Sequence, residues 1–91
     1  MTEETEVKTT VTQEDVDGAI KSIHYDKLGL KTTLCFLTLM NGFEIATTSG
    51  CVKAENYDEA MGQEIALKRA KDKIWELLGF NLQCNLGNEI K

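Results

Sequence analysis

The chain has 91 residues, of which 42% are hydrophobic and 27% charged, and its formal net charge is −5. This length allows one modest core, and the apolar runs are too short for a membrane-spanning helix of about 18 residues. A nucleic-acid-binding protein usually carries a basic stripe. The densest basic run here, residues 68–73, is interrupted by Asp72 and is typical of a solvated helix face. We therefore expect a cytoplasmic protein that contacts neither membranes nor nucleic acid.

The N-terminal segment MTEETEVKTT is acidic and polar, unlike a signal peptide. It carries too little apolar surface for burial to offset the entropy of ordering the chain. We predict a disordered acidic tail over residues 1–10 and a single α+β domain over residues 11–91.

A short amphipathic helix is predicted over VTQEDVDGAIKSI, residues 11–23. Thr12 is a suitable N-cap, and Val11 and Val16 are spaced as a hydrophobic staple. Gly18 weakens the helix by about 1 kcal/mol relative to Ala, so it needs tertiary contacts to persist. The expected length is about three turns.

A β-hairpin is predicted next, with strands over residues 32–40 and 43–48. Asn41 and Gly42 between them favour a two-residue type I′ turn, in which both central residues have positive φ. That turn places Met40 opposite Phe43 and continues the pairing toward Phe36 and Thr47. Both faces of the hairpin then carry apolar side chains, and a single helix covers only one face.

A long amphipathic helix of about 22 residues is expected from Asn56, the predicted N-cap, to Gly79, a C-terminal glycine signal. Gly62, Ala66 and Ala70 recur every four residues and form a groove of small side chains. Either the hairpin lies across this groove, or a symmetry-related helix packs there.

The C-terminal segment alternates Phe80, Leu82, Cys84 and Leu86 with polar residues, a period typical of a half-buried strand. We expect it to add a third strand to the sheet or to pair with a neighbouring subunit. The predicted order is therefore α-β-β-α with a candidate terminal strand, in an oligomer that is a dimer or larger.

Two stretches, LTLMNGFEIATTSGCV and NYDEAMGQEIALKRAKDKIWELLGF, resemble a small bacteriophage protein family known from podoviruses and prophages. The family pattern combines an LTLxNGF hairpin, an Asn-Phe-Asp helix start and a closing KIWxLxGY, and a His-Tyr pair upstream matches His24 and Tyr25. The resemblance spans residues 24–82. The chain departs from the pattern at Thr48, where the family has Glu or a similar residue, and at Tyr57. The resemblance implies a phage accessory protein in the host cytoplasm and carries over no mechanism.

Catalytic chemistry, a metal site and a cofactor are not predicted. The three cysteines lack the spacing of a zinc or redox motif and are expected to be reduced thiols, and His24 is the one histidine. No Gly-rich phosphate loop is present, and no carboxylate pair has an evident catalytic purpose. We therefore expect a non-enzymatic protein.

The loop from Ser49 to Asn56 precedes the long helix, whose N-terminus presents free N–H groups to an anion. With Lys53 it is either an anion-binding loop or a capping loop. Trp75 either packs at the core edge or stacks on a ligand or partner, and His24 with Tyr25 is either a polar edge or a ligand-reading pair. The candidate ligand-binding residues are His24, Tyr25, Ser49, Cys51, Lys53, Asn56, Asp58, Lys73 and Trp75.

Two binding functions follow. The first is counter-defence by sequestering a small anionic or nucleotide ligand in a pocket between subunits, with Lys53, Lys68 and Lys73 gathered around it. The second is inhibition or modulation of a host protein by direct contact, since an acidic surface suits a basic partner. The sequence leaves both open.

Overall fold

The computed structural model describes residues 9–87. In chain order the elements are α1 (Gln13–Gly18), β1 (Ile20–Leu28), β2 (Thr32–Leu39), β3 (Glu44–Gly50), a 3-10 turn (Ala54–Asn56) and α2 (Glu59–Leu86). The three strands form an antiparallel sheet in the order β1-β2-β3. The α+β class, the short first helix, the hairpin and the long helix are confirmed. The predicted disordered tail lies outside the described residues except for its last two positions.

Helix α1 is shorter than predicted, because the last four residues of the predicted three-turn helix, 20–23, belong to strand β1. The predicted N-cap is confirmed: the Thr12 hydroxyl accepts from the Asp15 N–H, and the Asp15 carboxylate accepts from the Thr12 N–H. The helix ends at Gly18, and Ile20 begins strand β1, in which eight of nine residues pair with β2 and the register shifts between Ile20 and Ser22. A short helix that contains glycine is only marginally stable. Strand pairing gives the backbone N–H and C=O groups of this segment hydrogen-bond partners in its place.

The hairpin turn has three residues, and the predicted pairing is therefore wrong by one position. The Leu39 N–H donates to the Phe43 carbonyl at 2.8 Å, and only Gly42 has positive φ, 91°. A type I turn followed by a left-handed glycine has this form. Leu37 lies opposite Ile45 instead of Ala46. A shift of one residue reverses the faces of a strand, so Ile45 joins the core and Ala46 points away from it.

Helix α2 begins later and ends later than predicted. Its N-cap is Asp58, not Asn56, and the Asp58 carboxylate accepts from the Met61 N–H at 3.1 Å. The helix passes through Gly79 and ends where Gly87 takes φ 62°. The predicted C-terminal strand is wrong: residues 80–86 are helical. The polar–apolar alternation over seven residues favours a strand. Extending the preceding helix is nevertheless more favourable, because each residue added to an existing helix gains a hydrogen bond.

The core lies between α2 and one face of the sheet. Its buried apolar members are Val16, Cys35, Leu37, Leu39, Ile45, Ala66, Ala70 and Ile74. The small-residue groove of α2 is filled by the sheet, which confirms the first of the two interpretations given above. A Cβ added at Gly62 would lie 3.2 Å from the Thr33 Cβ and still closer to its hydroxyl.

Candidate functional site

Four of the nine candidate residues line one small cavity, where β3 ends and α2 begins. They are Ser49, Cys51, Asn56 and Asp58, and the cavity encloses about 70 Å³. Lys31 also lines it and was missed by the sequence analysis. Lys31 immediately precedes β2, and Thr32 pairs with Gly50, so this pairing places Lys31 beside the cavity. The register of the hairpin is therefore the feature that would have identified Lys31 as a site residue.

The helix N-terminus at this cavity is already occupied by a side chain. The Asp58 carboxylate accepts from the Met61 N–H at the first turn of α2, so a negative charge stands where an anion would bind. The Ser49 hydroxyl is also engaged, because it donates to the Gly62 carbonyl at 2.7 Å while the side chain is buried. As arranged here, these groups cap and dock α2.

Lys53 in the loop and Lys31 in the β1–β2 turn have different contacts. Lys53 is exposed, does not line the cavity, and its backbone carbonyl accepts from the Cys51 thiol at 3.1 Å. The Lys31 ammonium donates to the Val52 carbonyl at 2.9 Å. Lys31 is therefore the cation that lies at the cavity, and an anion bound there would compete with the Val52 carbonyl for it.

His24 and Tyr25 lie on opposite faces of the sheet, as neighbours on a strand do. His24 is exposed and pairs with Phe36, whereas Tyr25 pairs with buried Cys35. Burial raises the pKa of the Tyr25 phenol, and the neighbouring Cys35 adds to the increase. Burial likewise raises the pKa of the Cys35 thiol, against a side-chain hydrogen bond with Thr47 that lowers it. Because His24 and Tyr25 lie on opposite faces of the sheet, they do not form one ligand-binding site.

Tyr25 instead lines a shallow groove of about 230 Å³ beside Tyr57. The Tyr57 hydroxyl and the Thr33 hydroxyl are hydrogen-bonded at 2.7 Å, and the Lys27 ammonium lies 4.5 Å from the centre of the Tyr57 ring. This cation–π contact and the hydroxyl pair anchor the segment before α2 to the edge of the sheet.

Lys73 and Trp75 lie along α2, away from the Ser49 cavity. Trp75 is 36% exposed and borders an open groove with Lys68 and Lys71. Lys71 is held by Asp17 of α1 at 3.0 Å, so this groove marks the junction of the two helices. Trp75 borders this groove and is not among the described apolar residues that pack against the core, so both interpretations of Trp75 stay predictions.

Titratable side chains do not form a metal cluster within residues 9–87: no group of three His, Cys, Asp or Glu is close enough to hold an ion. The three cysteines are free, with Cys35 buried, Cys51 half-buried and Cys84 exposed. No helix of this part of the chain is long and apolar enough to cross a membrane.

The face of the sheet turned away from α2 is not covered by any helix of residues 9–87, and it is called here the open face. Its apolar side chains are Leu28, Leu34, Phe36 and Ala46. Polar and charged side chains on the same face are Ser22, His24, Asp26, Thr32, Thr38, Glu44 and Thr48. One candidate residue, His24, thus lies beside Phe36 on a surface that the sequence analysis did not identify as a site.

The family model described as "Phage protein (N4 Gp49/phage Sf6 gene 66) family" matches residues 11–86 of the chain. This match confirms the resemblance to a bacteriophage protein family. No curated protein and no solved structure shows a significant match.

Proposed function

Since the chain belongs to the N4 Gp49/phage Sf6 gene 66 family of phage proteins, we propose that it is a non-enzymatic accessory protein of the infected cell. It acts in the host cytoplasm by direct contact with a host protein, which it inhibits or modulates, with counter-defence as the biological outcome. The contact surface is the open face of the sheet.

The observation that carries this proposal is the composition of the open face. Leu34 and Phe36 are half-buried at its centre although no helix of the described chain lies over them, and Leu28 is 44% exposed. Around them stand polar side chains such as His24 and Thr48. An apolar centre within a polar rim is the arrangement found in protein–protein interfaces that form and dissociate.

Charge supports a basic partner. The chain has a net charge of −5, and the open face carries Asp26 on β1 and Glu44 on β3. Rim carboxylates steer a basic partner to the surface and raise the association rate at low salt. Binding should therefore weaken as the salt concentration rises, because exposed charges are screened beyond about 8 Å at physiological ionic strength.

A second candidate is sequestration of a small anionic or nucleotide ligand at the Ser49 cavity. It is favoured by the convergence of Ser49, Cys51 and Asn56 with the ammonium of Lys31. It is opposed by the Asp58 carboxylate and by a volume of about 70 Å³, since sites for small organic ligands usually enclose roughly 300 Å³ or more. A nucleotide would need this cavity to open or to be extended by another subunit.

The test is native mass spectrometry of the purified protein before and after incubation with host lysate. We compare the wild type, Leu28→Glu and Phe36→Ser on the open face, and Val52→Glu as a control, since Val52 is 88% exposed in the loop before α2. We expect the wild type and Val52→Glu to retain the same polypeptide and the two open-face variants to lose it.

Thermal melting of each variant shows that loss of binding is not loss of folding. Equal retention by all four proteins would contradict binding through the open face. A gain of a few hundred daltons without a polypeptide would favour the second candidate, and Lys31→Glu should then abolish that gain.

A further inference from the structure

The last ten residues of α2, 77–86, form a helical segment called here the C-terminal arm. From Leu77 to Gly87 the chain has no charged side chain, whereas the preceding part of α2, from Glu59 to Glu76, has eight. A helix end that remains in water is usually covered with charged and polar groups. The composition of the arm is therefore that of a helix buried against another surface.

The arm and the hairpin tip expose large apolar side chains at one end of the molecule. Phe80 is 71% exposed and Leu77 39%, and at the hairpin tip Met40 is 66% and Phe43 52% exposed. At roughly 200 Å² for a fully exposed side chain of this size, they expose on the order of 450 Å² of surface. The largest apolar patch on a typical monomer is about 300–600 Å² and is often an interaction site, so an apolar surface of this size is a candidate contact surface.

The same end is concave on both sides of the arm. A cavity of about 250 Å³ lies between the arm and the hairpin tip, lined by Phe43 and Leu77 among others. A second cavity of about 450 Å³ lies between the arm and α1. Leu78 and Asn81 line both cavities, so the arm is a ridge with a groove on each side.

We propose that the C-terminal arm and the hairpin tip form a twofold interface with a second copy of this chain. A ridge flanked by grooves is complementary to its own rotated copy, as an isologous contact requires. Homodimer interfaces are about 65% apolar. Burying about 450 Å² of apolar surface then corresponds to roughly 700 Å² per subunit, close to the ~800 Å² of a standard stable interface.

The distribution of charge on the molecule favours a second copy of the chain, and not a charged host protein, as the partner of the arm. Two chains of net charge −5 repel each other, and contact is least unfavourable where neither carries charge. The arm itself and the groove toward the hairpin tip are such a region, whereas Glu14 and Asp15 line the groove toward α1. The open face, with Asp26 and Glu44, is instead suited to a charged partner, so the two surfaces have different occupants and the dimer leaves the open face free.

The test is sedimentation equilibrium of the full chain over about 1–100 μM, with Phe80→Glu and Met40→Glu as interface variants. Leu30→Glu is the matched control, because Leu30 is 73% exposed, nearly as much as Phe80, and lies in the β1–β2 turn. We expect the wild type and the control to have twice the 10.2 kDa chain mass and both interface variants to dissociate at least tenfold more readily.

A wild type that stays at 10.2 kDa up to 100 μM would overturn the proposal. So would a dimer that neither interface variant weakens, because the contact would then lie elsewhere. Met40 and Phe80 belong to different elements, and both are largely exposed, so circular dichroism of the two variants identifies a monomer that is still folded.

Discussion

At the scale of single residues, the close packing of α2 on the sheet depends on side chains that are absent or small. Gly62 allows Thr33 to approach the helix backbone, and its carbonyl accepts from the Ser49 hydroxyl at 2.7 Å. The Thr47 hydroxyl makes the corresponding bond to the Ala66 carbonyl, also at 2.7 Å. Hydroxyl groups on the sheet thus bind helix carbonyls directly, which a larger side chain at Gly62 would prevent.

Gly62→Ala is expected to destabilise the protein by about 1–3 kcal/mol, because the new methyl group meets a buried threonine that is itself hydrogen-bonded. Gly79→Ala is the control, since a Cβ there meets nothing within 4 Å. It should stabilise the helix by up to about 1 kcal/mol. Urea unfolding of the two variants measures both changes, and equal effects would contradict the close contact at Gly62.

At the scale of elements, each helix begins at a side-chain cap that bonds to its own first turn. The α2 cap at Asp58 lies two residues beyond the predicted Asn56, because residues 54–56 form a separate 3-10 turn. Helix α1 has six residues and is joined to α2 by the Asp17–Lys71 ion pair at 3.0 Å. An isolated helix of this length is not stable in water, so α1 persists through its contacts.

Asp58→Ala should cost about 1 kcal/mol of unfolding free energy, because the Met61 N–H loses its acceptor and the helix dipole loses a favourable charge. Asn56→Ala, at the position that the sequence favours as cap, should change it by less than about 0.5 kcal/mol. Thermal or urea unfolding distinguishes the two. A larger loss at Asn56 would place the helix start where the sequence analysis put it.

The Asp17–Lys71 contact predicts a pH dependence of stability. The hydrogen bond from Lys71, assisted by one from Gln13, lowers the pKa of the Asp17 carboxyl below its ordinary value of 3.8. Folding therefore favours the ionised form. The contribution of the ionised Asp17 carboxylate to the free energy of unfolding is present above pH 3.8. It is lost as the pH falls through the lower pKa of Asp17 in the folded state.

The melting temperature of Asp17→Asn should accordingly be below that of the wild type at pH 7, and the difference should disappear in acid. Asp72→Asn removes an equal charge from a longer, more exposed pair with Lys68 at 3.8 Å and should show a smaller difference. A difference for Asp17→Asn that does not decrease as the pH falls below 3.8 would assign the effect to something other than its charge.

At the scale of the whole molecule, one helix covers one face of a sheet whose central strand is apolar on both faces. Leu37 is fully buried under α2, while Leu34 on the same strand is half-buried on the open face. The alternation of side chains along a strand makes both arrangements unavoidable. The molecule thus presents an uncovered apolar face at one side and an uncharged helical arm at one end.

Leu37→Ala should cost about 2–5 kcal/mol, because it leaves a cavity between sheet and helix. Leu34→Ala should cost less than about 1.5 kcal/mol, since its side chain already contacts solvent and leaves no enclosed cavity. Urea unfolding at a fixed protein concentration compares the pair. Equal costs would mean that the open face is covered in solution.

The candidate site was predictable only where its residues are close in sequence. Four cavity residues lie within ten positions of one another: Ser49, Cys51, Asn56 and Asp58. The short loop between β3 and α2 therefore brings them together independently of long-range packing. Lys31 joins them through non-local strand pairing. His24 and Tyr25 were predicted to follow the first helix, as either a polar edge or a ligand-reading pair. Both residues instead lie on strand β1, which the sequence did not predict, and strand alternation places them on opposite faces of the sheet.

The sequence by itself determined the local features: the Thr12 cap, the presence of a hairpin at Asn41 and Gly42, the long helix and the bacteriophage family. These depend on side chains a few residues apart. Tertiary structure decided the third strand, the hairpin register and the continuation of α2 beyond Gly79. In each case two backbone conformations have similar local free energies. Long-range strand pairing and burial of apolar side chains supply the free-energy difference that favours one conformation.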